Sequence, residues 1–117
     1  MIVDKLVDDV YAYTAKVMQD FNAQGVTPDM VQVGNELNNG MLWPEAQLTE
    51  DNPNGYKFLA KLLNAGLQAV HDNDKDNKVK TMIHLAGVDV NLYHTFFDNL
   101  IVKNKVNDFD IIGMSFY

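Results

Sequence analysis

Between Ile2 and Ala23 the apolar side chains fall at Leu6, Val7, Val10, Tyr11, Val17, Met18 and Phe21, with Thr14 in the same row. Steps of three and four put these positions on one stripe of an amphipathic helix. Gln24-Gly25 ends it, because glycine tolerates the left-handed conformation that closes many helices. After Thr27-Pro28-Asp29, residues 30–34 (Met-Val-Gln-Val-Gly) are short and β-branched and predict a strand. A polar, Asn-rich loop covers residues 35–51. Asn52-Pro53 then predicts a second helix, as an N-cap followed by proline at the first helical position. Its stripe runs through Tyr56, Leu59, Leu62, Leu63, Gly66, Leu67 and Val70 to about His71. Residues 72–78 form a charged connector, and residues 79–85 predict a second strand. Asp89 or Asn91 caps a third helix with the stripe Leu92, Tyr93, Phe96, Phe97, Leu100 and Ile101. Residues 110–115 predict a third strand.

The order α-β-α-β-α-β predicts a parallel sheet, since parallel neighbours need a helical crossover. Three such strands with helices on one face leave the other face bare, whereas parallel sheets are buried on both. A closed barrel solves this by turning that face inward, over about 250 residues in a typical case. The chain also opens on a helix with no strand before it and stops at Tyr117 as the third strand ends. The expected fold is therefore α/β, a fragment of a (β/α)8 TIM barrel, with residues 1–117 forming an incomplete domain. The alternative is a small three-layer α/β domain, complete as it stands. An open sheet face lined by alternate strand residues predicts self-association of such a fragment.

Composition narrows the chemistry. The 117 residues are 47% hydrophobic, which fits a folded domain and not a disordered one. Sixteen acidic against nine basic residues give a net charge of −7. That argues against nucleic acid and against anionic membrane surfaces, which need clustered Lys and Arg. No stretch approaches the roughly 20 apolar residues of a membrane span, and no signal peptide is visible at the N-terminus. Without cysteine there is no disulfide, no thiolate metal site and no cysteine nucleophile. His71, His84 and His94 have no metal-ligand spacing, so neither a metal nor another cofactor is expected.

In barrel enzymes catalytic side chains stand where strands end and βα loops begin. Asn35-Glu36 occupies that point after the first strand. A carboxyl group there can protonate a departing glycosidic oxygen, and the neighbouring amide can bond a sugar hydroxyl. The same loop carries Trp43, the single tryptophan, whose flat face suits the C–H face of a pyranose. Taken singly, such a glutamate is more often a helix cap or a solvated loop residue, and a lone tryptophan is more often core. Their occurrence together in one loop gives the site its weight.

The segment Val31-Gln-Val-Gly-Asn-Glu-Leu-Asn-Asn-Gly-Met-Leu-Trp-Pro-Glu45 resembles the strand-four motif of the endo-β-1,4-galactanases (arabinogalactan endo-β-1,4-galactosidases, glycoside hydrolase family fifty-three). Phe109-Asp-Ile-Ile-Gly-Met-Ser-Phe-Tyr117 resembles that family's strand-six segment. Gln24-Gly-Val-Thr-Pro-Asp29 and the strand end His84-Leu85 match as well, so the resemblance covers nearly the whole chain. On that template the chain runs from the helix before strand four to the end of strand six.

The resemblance implies a retaining glycosidase that cleaves internal β-1,4-galactosidic linkages of galactan or arabinogalactan, acting outside the cell. It implies Glu36 as acid/base, Asn35 as partner of the sugar 2-hydroxyl, Trp43 in the sugar-binding loop and Tyr117 lining the cleft. His84 is either a cleft residue or a satisfied buried one, and His71 and His94 are expected on the surface. The loop 86–89 is shorter than is usual in the family, which lessens the sugar contacts expected from it. The family's nucleophile lies on strand seven, outside this chain. Glu45, Asp89 and Asp110 are the alternative carboxylates, and none fits: Asp110 opens its strand at the wrong end, Asp89 caps a helix, and Glu45 sits in a loop. Two other readings share some of these features. One is a mannanase- or xylanase-type barrel, which would share Asn-Glu but not the Asn38–Pro44 continuation. The other is a non-catalytic carbohydrate-binding half-barrel.

Overall fold

The computed structural model describes residues 2–116. Helix α1 (Ile2–Ala23) leads into strand β1 (Met30–Gln32), followed by a short 3-10 turn (Leu37–Asn39). A two-residue hairpin, β2 (Gly40–Met41) and β3 (Ala46–Gln47), precedes helix α2 (Gly55–Asp72). Strand β4 (Lys80–Ala86), helix α3 (Val90–Phe97) and strand β5 (Ile111–Ser115) complete the order, with α3 continuing as a π-helical stretch over Asp98–Lys103.

β4 lies between β1 and β5, and both pairings are parallel. The register runs from Met30↔Lys80 to Gln32↔Met82 on one side and from Met82↔Ile111 to Ala86↔Ser115 on the other. The predicted three-stranded parallel sheet is therefore the observed one. Its helical layer covers the face that carries Val33, Thr81, Ile83 and Leu85, all buried. α2 supplies the centre of that layer through Leu59, Leu62, Leu63 and Leu67, each at 1% exposure or less. Burying a side chain of this size stabilises by about 1.5–3 kcal/mol, so this stripe anchors the fold. Gly66 lets α2 approach β1, since a Cβ there would lie 2.6 Å from Val33 Cγ1.

α1 packs along α2, and Tyr11 Oη donates to Asp72 Oδ2 at 2.5 Å across their interface. That bond holds the Asp72 carboxyl below its ordinary range and pushes the Tyr11 phenol up. At the far end of the sheet, Phe96 is fully buried and packs edge-on against Tyr56 and Phe97.

The element boundaries shift by one residue at β4 and β5, and depart further from the sequence pattern in three other places. β1 stops at Gln32, although Val33 N still donates to Met82 O at 3.1 Å, because Gly34 (φ +75°) turns the chain away from the sheet. Asn52-Pro53 does not open α2, which starts at Gly55 with Asn54 as its N-cap. The Asn52 amide nitrogen instead gathers three loop carbonyls, those of Glu45 and Gln47 at 2.9 Å and of Pro44 at 3.2 Å. The loop expected over residues 35–51 contains the β2–β3 hairpin, whose two-residue strands are too short to show an alternating pattern.

The face opposite the helices carries Gln32, Met82, His84, Ile111, Gly113 and Ser115, which share it by register. It is mixed in polarity. Exposed Met30 lies on this face as well, while Ile112 (49%), Met114 (56%) and Val102 (59%) lie at the sheet edge beside α3.

Candidate active site

The C-terminal edge of the sheet is built by three strand ends and the segment that leaves β1. Gly34 must be glycine or strained, since it is left-handed and a Cβ would fall 2.7 Å from Leu37 Cδ2. Leu37 is fully buried and pins the 3-10 turn to the core. Between these two anchors stand Asn35 and Glu36, both exposed. Glu36 is itself left-handed, at φ 45° and ψ 62°, a conformation unfavourable for a residue with a Cβ.

Two contacts join this segment to β4. Glu36 N donates to His84 Nδ1 at 3.1 Å. The Asn38 side chain grips the peptide groups at Ala86, accepting from Ala86 N at 2.8 Å and donating to Ala86 O at 2.9 Å. His84 Nε2 in turn lies 2.7 Å from Ser115 Oγ on β5. The ring fits because its register partner is Gly113, where a Cβ would lie 3.1 Å from His84 Cδ2 and 2.4 Å from Met82 Sδ. Only 8% of His84 is exposed. Both ring nitrogens face protein atoms, Glu36 N and Ser115 Oγ.

Asn35 Oδ1 accepts from Gln32 Nε2 at 2.8 Å. Trp43 is 60% exposed, and its Nε1 donates to Asn39 O at 2.9 Å, which holds the indole on the loop surface beside the hairpin. The Trp43–Pro44 peptide is cis. Tyr117 lies outside the described residues. His71 on α2 is partly exposed and bonds Asp108 O, and His94 on α3 is exposed.

The other carboxylates have different surroundings. Asp89 caps α3, its Oδ1 accepting from Asn91 N at 3.0 Å. Asp110 accepts from Thr81 N at 2.9 Å, at the opposite end of the sheet from Glu36. Glu45 lies in the β2–β3 turn. Among the described residues no group of three or more His, Asp or Glu side chains converges as metal ligands would. Asn38 and Ser115 are the participants that sequence reasoning missed. Neither residue type signals a site, and their roles depend on which strand ends are neighbours.

Parallel strands joined through helices, with loop residues gathered at their common C-terminal edge, define one arc of a (β/α)8 barrel. The chain belongs to glycosyl hydrolase family 53, whose model matches residues 1–117. It is 35% identical over 119 residues to a probable arabinogalactan endo-beta-1,4-galactanase A of Neosartorya fischeri, covering 98% of this chain and 32% of that protein. It is 31% identical over 118 residues to the arabinogalactan endo-beta-1,4-galactanase A of Aspergillus niger, with 98% and 32% covered. Among solved structures it matches the GH53 catalytic domain of Ignisphaera aggregans with a TM-score of 0.84 and 37% identity, over 98% of this chain and 29% of that one. A structure of fungal beta-1,4-galactanases matches with a TM-score of 0.85 and 28% identity, over 97% and 33%. The chain thus spans about a third of the length of the curated relatives it matches.

Proposed function

We propose that residues 1–117 form the central part of the catalytic domain of a retaining endo-β-1,4-galactanase, in which Glu36 is the acid/base. The observation that carries this reading is the position of Glu36, in the segment that leaves β1 at the C-terminal sheet edge, in a chain of family 53. The relatives' names supply the substrate class, β-1,4-galactan or arabinogalactan. A polymer of that size is degraded where it occurs, which supports an extracellular enzyme.

In a retaining mechanism two carboxyl groups stand about 5–5.5 Å apart, one as acid/base and one as nucleophile. The nucleophile would come from the part of the barrel beyond this chain. Glu36 would first give its proton to the departing glycosidic oxygen. It would then take a proton from the water that releases the covalent glycosyl intermediate. Asn35, with its carbonyl oxygen engaged by Gln32, would offer its NH2 group to the 2-hydroxyl. The exposed face of Trp43 would carry a pyranose ring, and Tyr117 would line the cleft.

The test is Glu36→Gln in the complete enzyme, which removes the transferable proton and keeps the shape. Turnover of β-1,4-galactan should fall by about 10²–10⁴-fold, the usual range for general acid–base catalysis. Galactosides with very good leaving groups should lose less, because their departure needs little protonation. Near-wild-type turnover by this variant would overturn the assignment of Glu36. Hydrolysis of mannan or xylan in preference to galactan would overturn the substrate.

A further inference from the structure

We propose that His84 is a positioning residue for Glu36, holding its peptide N–H as a neutral imidazole and thereby aiming its carboxyl group.

The protonation pattern follows from what each partner can do. A backbone N–H only donates, so His84 Nδ1, 3.1 Å from Glu36 N, must present a lone pair. The ring proton is therefore on Nε2, and Ser115 Oγ at 2.7 Å accepts it. Glu36 N–H, imidazole and Ser115 thus form a directed chain across the ends of β1, β4 and β5. Such a second partner fixes which nitrogen carries the proton and how the ring is turned. Protonating Nδ1 would set one N–H against another and break the chain.

The chain matters because of the conformation it supports. Glu36 is left-handed without being glycine, and a residue keeps such a conformation only where its surroundings over-determine it. Those surroundings are Gly34 before it, the buried Leu37 and the Asn38 grip on Ala86 after it, and the His84 bond to its own N–H. Of these, the His84 bond acts on the Glu36 peptide N–H itself. Losing it removes the partner of that N–H and loosens the Asn35–Glu36 peptide group, and the direction of the Glu36 Cα–Cβ bond shifts with it. His84 also has a seat made for it, since any side chain at position 113 would press on the ring.

The inference rests on Glu36 being the acid/base, and the test separates the two. The complete enzyme is compared as wild type, Glu36→Gln, His84→Leu and His84→Asn. Leucine fills the space without accepting the N–H, and asparagine Oδ1 falls near the Nδ1 position and can accept it. His84→Leu should lower kcat on galactan by about 10²-fold, the cost of an ångström-scale misplacement, with KM little changed. The loss should shrink on galactosides with good leaving groups, and His84→Asn should recover most of it. A general packing defect would lower both kinds of substrate equally and would not be rescued by asparagine.

In ¹⁵N-labelled wild-type enzyme, scalar coupling should be detectable between the Glu36 amide and His84 Nδ1, with Nε2 protonated. If His84→Leu fails to fold, this coupling and His84→Asn still decide the matter. Full kcat in His84→Leu beside an inactive Glu36→Gln would overturn this inference alone. A rise confined to KM would make His84 a sugar ligand instead, and a protonated Nδ1 would overturn the chain of hydrogen bonds. Full activity in Glu36→Gln would overturn both the acid/base reading and the inference built on it.

Discussion

At the scale of single residues, the sharpest demands fall on glycines where backbone meets backbone. Gly40 has φ +80°, and a Cβ there would lie 1.9 Å from Ala46 O, an atom of the hairpin backbone that cannot swing aside. Gly40→Ala should therefore open the β2–β3 pair and destabilise the enzyme by about 1–3 kcal/mol or more, as overpacking does. Gly113→Ala is the milder case. One atom in its way is the far end of Met82, which can move, and the other is His84 Cδ2 at 3.1 Å. Its stability loss should be smaller than that of Gly40→Ala, while galactan turnover should fall because His84 shifts under Glu36. Thermal midpoints and kcat measured side by side on the two variants check this ordering, and an unchanged kcat in Gly113→Ala would contradict it. The position of Glu36 at the C-terminal sheet edge was legible in the sequence, because a carboxylate after a strand and before a Trp-bearing loop is a local pattern. The link from Glu36 to His84 was not. It spans 48 residues and exists because Gln32 pairs with Met82, which brings the next residues of both strands level.

At the scale of elements, the alternation of helices and strands could be read because each has its own apolar period, and the parallel order followed from it. Asn52 shows where such reading stops. Its type and its proline neighbour are those of a helix cap, but its amide is taken by three carbonyls of a folded loop. Local propensity yields there to bonds that only the tertiary fold provides. Two side-chain bonds between elements can be tested. Asn38 holds the turn after β1 to the end of β4 through both hydrogen bonds of its amide. Asn38→Ala leaves the Ala86 N–H and C=O without that partner and should cost about 1–3 kcal/mol, read as a lower thermal midpoint. Tyr11 and Asp72 join α1 to α2 on an exposed surface, and their effect should appear as pH dependence. The Asp72 carboxyl is held low by the Tyr11 bond, so its contribution is present above the ordinary carboxylate range and fades as pH falls through the lowered value. The Tyr11 phenol is pushed up by the same bond, so its contribution is present below the ordinary tyrosine range and fades as pH rises through the raised value. Tyr11→Phe should flatten the stability profile at both ends and change little at neutrality beyond the loss of one exposed hydrogen bond. A profile of unchanged shape would show that the pair does not form in solution.

At the scale of the whole molecule, the two outer strands decide how the 117 residues behave alone. Beside β1, the α1 side chains Leu6, Val10, Tyr13 and Val17 line an apolar groove with Val31 and Val33. Beside β5, Ile112 and Met114 form a second groove with Val102 and Tyr93. Among the described residues both strands are edges of the sheet, and exposed edges template pairing with other chains. In a full barrel the neighbouring strand and helix would cover each groove. In the isolated chain, copies of itself are the available cover, and apolar patches of this extent seldom stay open to water. The isolated 117 residues should therefore self-associate or aggregate, with mass in solution rising with concentration. Met114→Lys and Val17→Lys, one charge in each groove, should reduce that rise. The same fragment should show no hydrolysis of β-1,4-galactan, with or without these charges. It carries the proposed acid/base but not the second carboxylate that the proposed mechanism takes from elsewhere in the barrel, and it has no closed wall to orient a sugar. Orientation alone is worth effective molarities of about 10⁵–10⁸ M, so its loss is as damaging as loss of the second carboxylate. Light scattering and a reducing-sugar assay on the same preparation test both points. A monomer that hydrolyses galactan would show that a second catalytic carboxylate lies within these residues, and Glu45 would then be the first to replace.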